Sequence, residues 1–138
     1  MLGYPVSVRL AVQWGEMDAF GHVNNTRFFS WFESSRIAYL DRVGLRVRGG
    51  EGLSIILATT QADFLKPVVF PAELEVGARV SKVGRTSFSM EFEVQGTDGT
   101  VYGRGSCVAV VVRYPQMEKL LVPQEVREAM EALEGRAL

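Results

Sequence analysis

The 138-residue sequence predicts an α+β fold in which one curved, mostly antiparallel five-stranded sheet wraps around a single long helix. Three observations carry this. Four strand-like runs follow one another between residues 53 and 114, joined by little more than turn chemistry, which favours antiparallel neighbours over crossover connections. A long segment from Asn24 onward has helical rather than alternating periodicity. That helix is apolar on more than one side, so a sheet must curve around it.

The elements follow in order. Pro5 to Trp14 (PVSVRLAVQW) sets Val6, Val8, Leu10 and Val12 against Ser7, Arg9, Ala11 and Gln13, the period of a half-buried strand. A loop, GEMDAFGHV, comes next. In NNTRFFSWFESSRIAYLDRVG, Phe28, Trp31, Phe32, Ser35 and Tyr39 share one helical face, and Phe29, Ile37 and Leu40 widen it. Asn24 or Asn25 is the expected N-cap and Gly44 the stop. Arg46 to Gly52 (RVRGGEG) reads as a flexible, basic loop. The strands Leu53 to Leu65, Glu73 to Val83, Ser87 to Gln95 and Val101 to Tyr114 are separated by KPVVFPAE, GRT and the hairpin signal TDGT. Pro123 opens PQEVREAMEALEG, whose Val126, Met130 and Leu133 mark a short amphipathic C-terminal helix.

The length suits one domain spanning residues 1–138. Hydrophobic residues make up 47% and charged residues 22%, the balance of a soluble globular chain. A net charge of −1 offers no electrostatic footprint for nucleic acid or an anionic membrane. No apolar run approaches the roughly 20 residues that span a bilayer, and no basic stretch leads into a signal-like apolar core, so a cytoplasmic location is expected. The one cysteine, Cys107 in SCVAVVV, reads as a small buried hydrophobe. The one histidine excludes a two-histidine metal site, and no motif calls for a metal or redox cofactor.

Residues 14–27, WGEMDAFGHVNNTR, concentrate polar and flexible residues at a strand-to-helix junction that needs only a cap. Asp18 is either a turn-capping carboxylate or one that activates water or attacks a carbonyl directly. Gly21 lets the backbone approach a ligand with no Cβ in the way. The first N–H groups of a helix lack internal partners and favour negative charge, so the stretch at Asn24 and Asn25 can both cap and hold an anion.

WGEMDAFGHVNNTRFFSWFESSR resembles the signature of the hotdog-fold acyl-CoA thioesterases, in the branch related to 4-hydroxybenzoyl-CoA thioesterase. It is most similar to the cytoplasmic bacterial long-chain and short-chain members. The resemblance extends through ADFLKPVVFPAELEV, GRTSFSMEFEV, DGTVYGRG and the proline-led final helix, nearly the whole chain. It implies hydrolysis of an acyl-CoA to a free acid and CoA, using water and no cofactor. It places the catalytic carboxylate at Asp18 and assigns carbonyl polarisation to a backbone N–H near Asn25.

Other candidates are weaker. Adjacent on a strand, Thr59 and Thr60 face opposite sides, and one of them is expected to hold the attacking water across a dimer interface. Arg85, Lys82 and Arg104 are candidates for the CoA phosphates, against the plainer reading of solvated strand charges. Gly21, His22 and Asn24 are expected to line or orient the substrate slot. Glu16 is expected to point away from it, and Glu33 to pair with Arg36 at i, i+3, although some relatives carry a catalytic glutamate on this helix. Trp31 or Tyr39 is a candidate limit to acyl length. A sheet around one helix leaves an edge and apolar surface open, so a homodimer is expected, and the resemblance adds a homotetramer. The alternatives are a non-enzymatic acyl-CoA binding or sensing module and a hydratase or dehydratase on the same fold; related dehydratases set their histidine in a different motif.

Overall fold

The structure, a computed structural model, describes residues 1–46 and 50–138. Its elements are β1 (Val6–Ala11), α1 (Thr26–Val43), β2 (Gly52–Phe64), β3 (Glu73–Val83), β4 (Ser87–Gly96), β5 (Val101–Tyr114), β6 (Glu118–Lys119) and α2 (Gln124–Glu134). The long strands run in the order β1-β3-β4-β5-β2, every pair antiparallel, and the two-residue β6 lies beside β5. This is the hotdog architecture, a curled five-strand sheet with a helix against it, plus the expected short second helix. Of the expected basic loop, residues 47–49 lie outside the described residues.

The first strand is shorter than its alternating pattern. It ends at Ala11, where the Val12 N–H turns to the carbonyl of Ala72, and Trp14–Glu16 form a 3₁₀ turn instead of extending the strand. The helix follows its periodicity: Phe28, Trp31, Phe32, Ser35 and Tyr39 are all buried. They meet the inner face of the sheet, where Val76, Ala78, Met90, Phe92, Cys107 and Ala109 are buried in turn. Phe32 stacks on Phe92 with ring centroids 5.2 Å apart. Two glycines of β5 set how closely the helix approaches. A Cβ on Gly103 would lie 2.7 Å from the Phe28 ring, and one on Gly105 would strike the Phe32 ring. Cys107 is buried as expected, and burial pushes its thiol pKa up.

The C-terminal helix buries Val126 and Met130 and ends on a polar clamp. One carboxylate oxygen of Glu134 accepts from the Tyr39 hydroxyl at 2.6 Å and from the Val80 N–H at 3.0 Å. Val80 stands where the β3–β4 register shifts. Burial, reinforced by Glu134, raises the Tyr39 pKa and keeps the phenol a neutral donor. Glu134→Ala leaves a buried hydroxyl and a strand N–H without an acceptor and is expected to cost about 2–3 kcal/mol. Glu134→Gln keeps an acceptor oxygen and is expected to recover part of it. Urea midpoints of the two variants check this; equal losses would show that the acceptor is not what matters. Among the described residues, no helix is long and apolar enough to cross a membrane.

Candidate active site

The junction after β1 folds into a small closed loop. A single bridge pairs Met17 with Val23, the Asp18 N–H donates to the His22 carbonyl at 2.9 Å, and the Asn24 N–H donates to the Glu16 carbonyl at 3.0 Å. Val23 is buried and its N–H donates to the Val68 carbonyl, which pins the loop to the chain leading into β3. Gly21 has φ +86°, the left-handed region that glycine enters without strain, and nothing lies within 4 Å of where its Cβ would be. The glycine therefore makes the turn and leaves its outer side open.

Asp18, half-buried, holds the turn with one oxygen: Oδ1 accepts the Phe20 N–H at 2.8 Å. Among the described residues, Oδ2 accepts no hydrogen bond. The cap of α1 is Asn24, whose Oδ1 accepts from both the N–H and the hydroxyl of Thr26, at 2.9 and 2.8 Å. Asn25 occupies the residue before the helix in helical conformation, and its side chain makes no cap bond. Among the described residues its N–H donates to nothing, whereas the Thr26 N–H is taken by Asn24. A carboxylate oxygen and a helix-start donor are thus both uncommitted within one short loop.

The neighbours divide into props and open positions. Both oxygens of Glu16 are used, accepting from the Gln13 N–H at 2.7 Å and the Trp31 indole N–H at 3.2 Å, so Glu16 ties the loop to α1. His22 lies against Phe20 with ring centroids 6.4 Å apart, and its Nδ1 is buried without a partner among the described residues. Phe20 itself is 85% exposed at the loop tip; on α1 and β2, Phe29 and Phe64, both partly exposed, meet edge-on with ring centroids 6.4 Å apart. Sequence reading passed over Phe20; an aromatic between Asp18 and a glycine in a polar loop was the available signal.

Register separates the two threonines of β2. Thr60 stands opposite Cys107, which faces α1, whereas Thr59 stands opposite Val108 on the outer face. The irregularity at Ala58 sets this phase. Arg85 lies in the β3–β4 turn, at the end of β3 remote from the Asp18 loop, so within one chain it does not join that loop. Arg104 is paired with Glu93 at 3.0 Å on the outer face, and Lys82 is exposed at the far end of β3. Trp31 and Tyr39 are core residues, engaged with Glu16 and Glu134.

Cavity size does not mark the site. A cavity of about 670 Å³ lies beside Phe70, Pro71 and Tyr102, without Asp18, His22, Asn24 or Asn25 in its walls. A groove of about 370 Å³ runs between α1 and the first half of β2, with Ile37, Leu40, Leu45, Ile55, Leu57 and Arg36 in its walls. Among the described residues, no three His, Cys, Asp or Glu side chains gather in a metal-binding group.

The profile of the thioesterase-like superfamily matches residues 12–130. A thioesterase from Thermus thermophilus, crystallised with coenzyme A and zinc, is 33% identical and superposes with a TM-score of 0.85 over the full length of both chains. A thioesterase-superfamily protein from a Jannaschia species is 27% identical with a TM-score of 0.86, covering 96% of this chain and 85% of that one. The Bacillus subtilis protein YsmA is 29% identical over 104 residues, 75% of this chain and 70% of its own. A match that begins where β1 ends, takes in the carboxylate loop, the central helix and the four longest strands, and closes inside α2 makes this chain a member of the thioesterase-like superfamily on the hotdog fold.

Proposed function

We propose that the protein hydrolyses the thioester of an acyl-coenzyme A to the free carboxylic acid and CoA, with Asp18 at the reacting carbon and the Asn25 N–H on the carbonyl oxygen. The observation that carries this reading is the pair of uncommitted groups, Asp18 Oδ2 and the Asn25 N–H, in one loop at a helix start. Two routes use them. As general base, Asp18 takes a proton from water while the hydroxide adds to the carbonyl; the tetrahedral oxyanion then collapses and CoA leaves as the thiol. As nucleophile, Asp18 displaces the CoA thiolate to give an anhydride, which water opens. In both, charge develops on the carbonyl oxygen, where the Asn25 N–H and the helix dipole stabilise it.

The site is completed by a second subunit. Among the described residues, the outer edge of β2 pairs with no strand, and Leu57, Phe64 and Leu65 are exposed along it. Antiparallel pairing of two β2 edges about a two-fold axis covers these side chains and sets the Phe64 end of one strand beside the Ile55 end of the other. Thr60, on the helix-facing side, then reaches the attacking water, and Arg85 of the second subunit approaches the CoA phosphates. His22 and Asn24 shape the slot, and Gly21 keeps it open. The chain is read as one domain, cytoplasmic, working as a dimer or a pair of dimers.

Thiol release from a panel of aliphatic and aromatic acyl-CoAs tests the activity, and sedimentation velocity tests the assembly. Turnover of at least one thioester by a dimer or tetramer is expected. Acyl-CoA binding with no thiol released would replace the enzyme with a binding module, and the mass of one chain would remove the shared site.

A further inference from the structure

The groove between α1 and β2 has a guanidinium in its wall with no oxygen acceptor within hydrogen-bond length among the described residues. Arg36 lies on the buried side of α1 with 6% of its surface exposed. A guanidinium has five N–H donors and stays protonated, so burying it with incomplete partners is costly. Its counter-charge among the described residues is Glu33, 3.8 Å away and beyond hydrogen-bond length, on a side chain that is 65% exposed. Its other neighbours are the Phe92 ring, 5.8 Å from the guanidinium carbon, and the Cys107 thiol. Neither replaces an oxygen acceptor. The walls beside it are mainly apolar, Ile37, Leu40 and Ile55 among them, with Glu33, Ser54 and Tyr114 lining the groove as well.

Stability alone does not require the charge, because replacing a buried ion pair by well-packed hydrophobes is often neutral or stabilising. A mainly apolar groove with a buried cation in its wall fits a ligand with an apolar body and an anionic end. In the two-fold assembly proposed above, the Ile55 end of β2, which walls this groove, lies beside the Phe64 end of the other subunit's strand.

Resting on that reading of the activity, we infer that the groove receives the acyl group and that Arg36 selects acyl chains bearing a carboxylate at the end remote from the thioester: mono-CoA thioesters of dicarboxylic acids. Such a carboxylate brings two oxygens to the fork of guanidinium donors and a full counter-charge into the groove, while the exposed Glu33 side chain turns to water. A plain alkanoyl chain fills the same walls but leaves the guanidinium as it was.

The test pairs acyl-CoAs of equal length: glutaryl with pentanoyl, adipoyl with hexanoyl, suberoyl with octanoyl. Each is given to wild type and to Arg36→Met, which keeps length and removes charge. Wild type is expected to favour at least one dicarboxylic member by about tenfold in kcat/KM, mostly through KM, a margin worth one ion pair. Arg36→Met is expected to lose that preference, the kcat/KM ratio within each pair falling to about one. Equal kcat/KM within every pair in wild type would overturn the inference, as would a preference that survives Arg36→Met. Where Arg36→Met does not fold, the wild-type pairs alone decide. If no acyl-CoA releases thiol, the hydrolase reading fails by itself, and ligand-induced Tm shifts on the same pairs judge Arg36. A larger shift for the dicarboxylic member supports the inference, and equal shifts sink it.

Discussion

Asp18→Asn is expected to abolish thiol release from acyl-CoAs while leaving the fold in place. The substitution separates the two roles of the carboxylate. Its Oδ1 holds the turn by accepting the Phe20 N–H at 2.8 Å, and the carbonyl oxygen of asparagine accepts the same bond, so stability should change by less than about 1 kcal/mol. What disappears is the basic oxygen. An amide neither takes a proton from water nor displaces a thiolate, so both routes stop, and kcat is expected to fall about 10³-fold, within the usual worth of a positioned base. Asp18→Glu keeps the charge but carries it one methylene further from a loop whose backbone is fixed at Met17, Val23 and Asn24. It is expected to retain a small part of the activity, because misplacement of about 1 Å already costs about 10²-fold. Thiol release beside thermal unfolding of the same preparations checks both. A folded Asp18→Asn with wild-type turnover would move the chemistry to Glu33 or His22.

How much of this was legible in the sequence depended on whether the deciding contact is local. The face of α1 was readable because Phe28, Trp31, Phe32, Ser35 and Tyr39 recur at helical spacing, and all five are buried. The bounds of β3 and β5 were readable because proline, glycine and hairpin residues flank them. Asn24 and Asn25 were both plausible caps, and one local contact, the Thr26 hydroxyl donating to Asn24, separates them. Other features needed partners far along the chain. The i, i+3 pair of Glu33 and Arg36 reads as a surface ion pair, yet the sheet curls far enough around α1 to bury Arg36. The facing of Thr59 and Thr60 needs their register against β5, which the irregularity at Ala58 resets. Arg85 sits in a turn that was correctly placed, but its distance from the Asp18 loop is fixed by the length of β3. Glu134 looks like a solvent-facing residue in the last turn of α2, and its hydrogen-bond donor Tyr39 lies 95 residues away.

Gly105→Ala should be the most destabilising single-methyl change in the sheet, at about 2–3 kcal/mol, near the upper end for overpacking a core. Gly105 is on the inner face of β5, between Ala62 of β2 and Phe92 of β4. A Cβ there meets the Phe32 ring and lies 2.9 Å from the Gln61 carbonyl oxygen, which is strand backbone and cannot yield. Phe32 is fully buried, stacked on Phe92 and crossed edge-on by Phe29 at 6.2 Å, so its ring is held from two sides in a close-packed interior. The remaining response is to lift α1 from the sheet. Because the start of α1 carries Asn24 and Asn25, that lift also moves the proposed oxyanion donor relative to Asp18, and activity should fall further than the loss of folded protein explains. Gly15→Ala is the matched control: it has open space around its Cβ position and no left-handed φ, and should stay within about 0.5 kcal/mol of wild type. The double variant Gly105→Ala/Phe32→Leu, which trims the ring that the new methyl strikes, should lose at least about 1 kcal/mol less than the sum of the single variants. Urea midpoints for the four proteins measure that coupling. A Gly105→Ala midpoint equal to that of Gly15→Ala, or a double variant that is simply additive, would mean that the close approach of Phe32 to β5 does not set the spacing between helix and sheet.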